Sequence, residues 1–541
     1  MNAIICSKYV EAKPPGLQDN TADLDRLQQA LASLLADGCT ISIPYACMMR
    51  VARGFRAADY GGFALVIHGE NEWKIIDFLL EEPKMIAAMA LDLGTTHLEA
   101  TLLNLQNGEK VARADMKNSQ IIYGTDILSR IHHATGERRQ QKKPGADFQD
   151  PGLMELQNAI ICSINTLAEK LAENAGVAKN EVYAISVSGN TTMAHLFLGL
   201  DPYHICREPY IPLFNRAAGV EAGQLKITIH PLAPVFIMPS IGSYFGGDLV
   251  SGILASGMAE SDQTRMLIDV GTNAEVVLGN SEWMIACAGA AGPALEGGVA
   301  RMGMRAEPGA IEYIAIDPTS YELVFRTIAN VKPKGLCGSG LIDLVAALYL
   351  ANIIDIRGKF RDPGKEKNPD RAEFMKKHLM QKDAVFYFVV NPEVLEESAE
   401  AVILEQIDLD AMIRSKAAMY AILRTLTNQV GLGFADLEEI TVAGAFGCHI
   451  NPQCAITLGM LPDLPLSVYK PIGNSSLLGA EQVLLDKNSR LECEKIVSRI
   501  TYLELNVNQE FMIRFSGARF IPHTDPSLFP SVPPFTESPS N

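Results

Sequence analysis

The strings Leu91-Asp92-Leu93-Gly94-Thr95-Thr96 and Ile268-Asp269-Val270-Gly271-Thr272-Asn273 carry one message twice. Each is an apolar run closing on Asp-x-Gly-Thr, and a second apolar run follows, at 102–105 in the first copy and 276–278 in the second. The pattern predicts a strand, a tight turn and a return strand. The turn sets a carboxylate beside a hydroxyl and backbone N–H groups that glycine leaves accessible. Such a turn cradles a phosphate, and the aspartate holds a magnesium ion directly or through water. One Asp-x-Gly turn would say little, because many hairpins have one. Two copies in a chain long enough for two lobes predict a nucleotide clamped between duplicated halves.

The 541 residues exceed what one core organises, so two or three domains are expected. With 48% apolar and 20% charged residues the balance is that of a globular protein. A net charge of −17 argues against nucleic-acid binding and against docking on anionic lipid. No apolar stretch approaches the roughly 18 residues of a membrane span. Residues 1–10 lack a basic region leading into a long apolar core, so no signal peptide is expected and the chain reads as cytoplasmic. Its ten cysteines form no Cys-x-x-Cys. No run resembles a ferredoxin cluster loop, and the spacing of Cys448, His449 and Cys454 fits no recurrent metal pattern.

Along the chain, residues 1–20 read as irregular, around Pro14-Pro15-Gly16. A small α+β module spans 21–84: a helix from Asp23 with Leu24, Leu27, Leu31, Leu34 and Leu35 on one face, then strands at 39–43, 63–68 and 74–78. Its size suits contacts better than a large active site. The repeat occupies 85–525, with lobe one at about 85–245, lobe two at about 246–500 and a closing segment to 525. In lobe one a basic loop (Arg138, Arg139, Lys142, Lys143) reads as a solvated surface feature. A helical stripe of Ile160, Ile164, Leu167 and Leu171 closes at Gly176, and a buried strand at 182–187 runs into Ser188-Gly189-Asn190-Thr191-Thr192. That string opens a helix whose N-terminus favours an anion or is simply capped. In lobe two, Gly242 to Asp248 leads into a helix, and glycine-rich bends recur at 290–298, 335–340 and 444–447. The charged stretch 357–378 reads as a surface insertion, Cys337 and Cys448 as packing residues, and the proline-rich 526–541 as a disordered tail.

In this order the motifs resemble the superfamily of actin, sugar kinases and heat-shock chaperones. That resemblance implies an α/β fold of two RNase-H-like lobes closing on ATP, preceded here by the small N-terminal α+β domain. Gly94, Thr95 and Thr96 would form the first phosphate loop and Gly271, Thr272 and Asn273 the second. Asp92 and Asp269 would face the Mg2+-bound phosphates. Asn190 and Glu296 would join the nucleotide-binding set, and Gly338-Ser339-Gly340 with Gly444-Ala445-Phe446-Gly447 would flank the adenosine. Asp248 stands just upstream of the second hairpin, where sugar kinases carry a catalytic aspartate. The resemblance implies that it orients a nucleophile or water; the plainer role is to cap the following helix.

Longer strings narrow the resemblance. Asn118-Ser119-Gln120, Tyr123 to Ile131, Gly189 to His195 and Leu198 to Pro202 are similar to the reductive activators of corrinoid proteins. So are Ala291 to Gly297, Arg301 to Ala306, Pro308 to Glu312, Gly335 to Asp343, and Ile450-Asn451-Pro452 through Leu461-Pro462-Asp463. The 21–84 module resembles that family's small middle domain. The resemblance implies an ATPase that supports reduction of inactive cobalt(II) to cobalt(I) on a corrinoid methyl carrier, and a homodimer. Family members generally carry an iron–sulfur domain, and the cysteines here match none. No cluster is therefore expected in this chain, and a separate low-potential donor such as an iron–sulfur protein would supply electrons. Two other readings stand beside this one. A small-molecule kinase would use Asp248 as base, although no sugar-binding run surrounds Trp73 or Trp283. An ATP-gated binding module would close its lobes without useful turnover.

Overall fold

The computed structural model describes the whole chain except residues 1–2, 36–37, 70–71, 137–149, 218, 272–273, 290–299, 384, 394–400, 506–507 and 536–541, and at 445–446 it describes the backbone alone. The basic loop and Glu296, Thr272 and Asn273 therefore lie outside the described residues. The chain folds into two compact units: residues 1–255 with 475–498, and residues 256–474 with 499–541.

The first unit opens with strand β1 (Ile5–Glu11), helix α1 (Asp23–Leu35), β2 (Thr40–Ser42), α2 (Tyr45–Ala57), β3 (Gly61–His68) and β4 (Glu72–Leu79). They form a sheet of order β1-β3-β4-β2. Residues 1–20 are thus not wholly irregular. The prolines break the chain only after β1, whose Ile5 and Val10 are buried against β3. Helix α2 escapes the sequence reading because only Cys47, Val51 and Phe55 of its 13 residues face inward.

The first hairpin is β5 (Ala87–Leu93) and β6 (His97–Asn104), extended by β7 (Lys110–Lys117). Helices α3 (Ile127–Thr135) and α4 (Pro151–Ala175) lead to β8 (Val182–Ser188), α5 (Thr191–Leu198), β9 (Val235–Ile237) and α6 (Gly247–Ser256). The sheet order is β7-β6-β5-β8-β9, with β5–β8 and β8–β9 parallel. Strands β5 and β8 are almost wholly buried, which explains their continuous apolar reading.

The second unit repeats that plan. Its hairpin β10 (Arg265–Val270) and β11 (Ala274–Gly279) continues into β12 (Met284–Gly289). Strands β13 (Ala310–Ile316), β14 (Leu323–Thr327) and β15 (Gly335–Leu336) form a small sheet beside α7 (Gly338–Leu350). Helix α8 (Pro369–His378), a three-stranded sheet of β16 (Leu379–Lys382), β17 (Val385–Val389) and β18 (Ile403–Glu405), and α9 (Gln406–Gln429) come next. The chain then forms β19 (Glu439–Ala443), α10 (Gly444–His449), α11 (Pro452–Leu458) and β20 (Tyr469–Gly473). Helices α12 (Ser475–Leu485) and α13 (Lys487–Arg499) return to the first unit, and β21 (Ile500–Tyr502) and α14 (Gln509–Gly517) complete the second. The main sheet runs β20-β19-β10-β11-β12-β21, with β10–β19 and β19–β20 parallel. In each unit an antiparallel meander is thus joined to two parallel strands at the edge of its first strand, the duplication that the paired hairpins imply.

Three boundaries differ from the sequence reading. Helix α6 belongs almost entirely to the first unit although it follows position 246, and 475–498 belongs there too. Leu477, Ala480 and Leu484 of α12 bury against Ala88 and Ala90 of β5 and the small module. The tail packs before it ends: Phe529 and Val532 are buried in the second unit's core. The charged stretch 357–378 is only half a surface feature. Phe374, Met375 and His378 turn inward, and Glu366 accepts from Arg371 Nη2 at 2.7 Å.

Candidate functional site

The first hairpin turn is pinned from several sides. Asn118 donates through Nδ2 to the Gly94 carbonyl at 2.9 Å and through its backbone N–H to the Thr96 carbonyl at 2.9 Å. Arg130, fully buried, donates through Nη2 to the Thr95 carbonyl at 2.6 Å, through Nε to the Gly124 carbonyl at 2.9 Å and through Nη1 to Gln120 Oε1 at 3.2 Å. Burial pulls this guanidinium down to about 10, so it remains charged at neutral pH. At Gly94 a Cβ would lie 2.2 Å from the His97 carbonyl oxygen, so the turn closes too tightly for any side chain.

Asp92 lies opposite Ser188 in the parallel β5–β8 register, which brings the first turn beside the start of α5. Asn190 caps that helix by accepting from the Met193 N–H at 2.9 Å, and its amide donates to Thr95 Oγ1 at 3.0 Å. Thr191 Oγ1 donates to the Gly242 carbonyl at 2.9 Å and so holds the loop that leads to Asp248. A Cβ at Gly246 would stand 2.3 Å from Asn190 Cα and 2.7 Å from Asp248 Oδ1, placing that loop directly against the α5 N-terminus. Asp248 sits in the first turn of α6, and its Oδ1 accepts from the Leu249 N–H at 2.9 Å. Within the first unit, then, Asp92, Gly94, Thr95, Asn190 and Asp248 gather at the C-terminal ends of β5 and β8. His195 braces the same helix. Its Nδ1 donates to the Thr191 carbonyl, its Nε2 accepts from the Leu213 N–H, and burial lowers its pKa, so the ring is neutral.

In the second unit Asp269 pairs across β10–β19 with Ala443. Gly444 follows with φ +82°, and a Cβ there would stand 3.3 Å from Asp269 Oδ1. The second hairpin and the Gly444–Gly447 motif are therefore neighbours. The string 338–340 opens α7, where Ser339 Oγ donates to the Glu312 carbonyl at 3.0 Å. Asp343, in the same helix, is buried among apolar neighbours that push its carboxyl up to about 6. Cys337 is buried as read, whereas Cys448 is exposed and is no packing residue. Among the described residues no three His, Cys, Asp or Glu side chains gather as a metal site. A separate cavity of about 430 Å³ beside β14 and α8 contains none of these motif residues. No described helix is long and apolar enough to cross a membrane.

Sequence reading missed Arg130, which braces the first turn, and Ser476, whose Oγ donates to Asp92 Oδ1 at 2.7 Å. Arg130 did fall in a quoted string, but no local signal separates it there from an ordinary helix-surface arginine. Ser476 had none either, because its partner Asp92 is 384 residues away.

Duplicated sheets with an Asp-x-Gly-Thr hairpin in each define an α/β protein of the actin-like ATPase class. Residues 263–533 match the model described as the C-terminal domain of RACo, the ASKHA domain. Residues 87–261 match the RACo middle region and residues 1–79 the RACo linker region. The corrinoid activation enzyme RamQ of Eubacterium limosum is 30% identical over 496 residues, covering 91% of this chain and 79% of the relative. A Co(II) methylated amine-specific corrinoid protein reductase of Methanosarcina barkeri is 25% identical over 289 residues, covering 49% and 47%. The solved structure of a reductive activator for a corrinoid, iron–sulfur protein is 34% identical, with a TM-score of 0.84 over 98% of this chain and 81% of that one. The chain belongs to the RACo family of corrinoid activators. The module read at 21–84 as the family's middle domain falls instead largely within the linker match, residues 1–79, and the middle region matches residues 87–261.

Proposed function

We propose that this chain is an ATP-dependent activator of a corrinoid methyl-carrier protein, supporting one-electron reduction of inactive cobalt(II) to cobalt(I). The carrying observation is the family match across nearly the whole chain together with the Asp92–Thr95–Asn190 cluster. The donor set suits Mg-ATP. Each hairpin offers one carboxylate, Asp92 in the first unit and Asp269 in the second, as a hard oxygen ligand for Mg2+. The tight Gly94 turn and the α5 N-terminus offer N–H groups for phosphate. The bound metal would neutralise phosphate charge. Around it, Thr95, Thr96, Asn190, Gly271, Thr272 and Asn273 would hold the phosphates. Glu296, Gly338, Ser339, Gly340, Gly444, Ala445, Phe446 and Gly447 would serve the nucleoside, and Asp248 would orient the attacking water.

Nucleotide binding can favour one docked state of the corrinoid partner, and hydrolysis to ADP and phosphate releases it. A differential stabilisation of about 3–5 kcal/mol shifts such an equilibrium by about two to four decades. The cysteine spacing supports electrons arriving from a separate low-potential donor. A homodimer in the cytoplasm is part of the same reading, by family likeness.

The test is the cobalt spectrum of a cobalt(II) corrinoid protein under a moderate reductant, with and without this protein and Mg-ATP. Cobalt(I) should accumulate only when both are present. Unchanged cobalt(II) across several corrinoid partners, with ATP demonstrably bound, would refute the activator role.

A further inference from the structure

Behind Asp92 lies a run of buried hydroxyls joining three elements of the first unit. Ser476 Oγ, at the start of α12, is 2.7 Å from Asp92 Oδ1. Ser188 Oγ, the last residue of β8, is 2.8 Å from Ser476 Oγ and 2.8 Å from Ser251 Oγ of α6. Ser188 and Ser251 are wholly buried and Ser476 nearly so.

Proton counting fixes the direction of every bond. A carboxylate only accepts, so the single hydroxyl proton of Ser476 goes to Asp92. Ser476 must then accept from Ser188, whose one proton is spent there, and Ser188 must accept from Ser251. The order is Ser251 to Ser188 to Ser476 to Asp92, with every donor pointing at the carboxylate. Aligned hydroxyls polarise one another, which strengthens the last bond. The chain also starts on α6, three residues after Asp248, one turn further along the same helix.

We infer that Ser251, Ser188 and Ser476 are positioning residues: an oriented hydroxyl chain that fixes the Asp92 carboxylate for Mg2+ and ties its orientation to the helix carrying Asp248. This rests on the Mg-ATP reading of the site. Groups that orient a ligating carboxylate typically alter metal affinity by about 10–100-fold when removed. A serine on the same strand provides the control: Ser186 Oγ donates to the Ala480 carbonyl at 2.5 Å rather than to a hydroxyl of the run.

The experiment measures equilibrium binding of a fluorescent ATP analogue as Mg2+ is titrated, in the full chain and in Ser476→Ala, Ser188→Ala, Ser251→Ala and Ser186→Ala. Half-saturating Mg2+ should rise about tenfold or more in Ser476→Ala, less in Ser188→Ala and least in Ser251→Ala. It should stay unchanged in Ser186→Ala. Melting of the metal-free proteins adds a readout independent of nucleotide. Ser188→Ala leaves the Ser251 donor without its acceptor, so the Ser188→Ala/Ser251→Ala double variant should melt no lower than Ser188→Ala alone. Equal Mg2+ responses in Ser476→Ala and Ser186→Ala, or strictly additive melting losses, overturn the hydroxyl chain. Failure of the unaltered protein to bind the analogue at any Mg2+ concentration overturns the nucleotide reading itself.

Discussion

Replacing Arg130 with methionine should loosen the first hairpin turn and lower the stability of the first unit. The guanidinium supplies the Thr95 and Gly124 carbonyls and Gln120 Oε1 from a fully buried position. Methionine fills much of the volume but orphans those acceptors, at about 1–3 kcal/mol for each carbonyl. Relief of the guanidinium's own desolvation opposes this loss, since apolar replacement of buried charges is often neutral when both partners go. Here the partners are backbone carbonyls that stay, so the loss wins and a net cost of about 2–4 kcal/mol follows. For a unit of this size that is a fall of about 3–7 °C in its melting transition. Arg130→Lys keeps the charge but offers no planar fork, and should recover only part of it. Scanning calorimetry paired with ATP-analogue binding is the assay, and affinity should fall about tenfold or more, or 1.4 kcal/mol. An Arg130→Met protein that melts within about 2 °C of the parent and binds as tightly would refute the reasoning.

Other outcomes follow from the same geometry. Gly94→Ala forces a Cβ to 2.2 Å from the His97 carbonyl oxygen, so ATP-analogue binding should disappear; retained affinity would show that the turn does not hold phosphate. Asp269→Ala should abolish ATP-dependent cobalt reduction while circular dichroism stays unchanged, and full activity would refute a role for the second hairpin in that reaction. Burial raises the Asp343 carboxyl to about 6, above its unfolded value, so the folded state binds the extra proton between about pH 4 and 6. Stability should therefore fall as pH rises through that window and level off above it. Urea unfolding of Asp343→Asn should lack this component, and an identical pH profile in both proteins would refute it.

What the sequence reveals here is mostly what is local. The hairpins at 92–95 and 269–271 are legible because both strands and the turn between them lie within a few residues. Asn190 is legible because helix caps use few residue types. Thr191 and Thr192 gave no hint that Thr191 would hold the loop before Asp248. The hydroxyl chain was invisible for another reason: serine is common, and Ser188 and Ser476 are 288 positions apart. Buried Arg130 reads as an ordinary helix-surface arginine until burial is known. The lobe boundaries went astray because composition does not change at α6 or α12, where the chain passes between units. The tail's proline content suggested disorder, yet Phe529 finds a core pocket beside Tyr420.

The return of α12 and α13 to the first unit has a consequence for how the molecule is made. Strands β5 and β8 emerge early from the ribosome, but the helix that covers them begins only at Ser475. Until then the faces bearing Ala88 and Ala90 lack Leu477, Ala480 and Leu484. The nascent amino-terminal unit thus waits, part-built, while the whole 256–474 stretch is synthesised. A nonsense mutation anywhere in that stretch would therefore truncate the second unit and also leave the first without the helix that covers these strands.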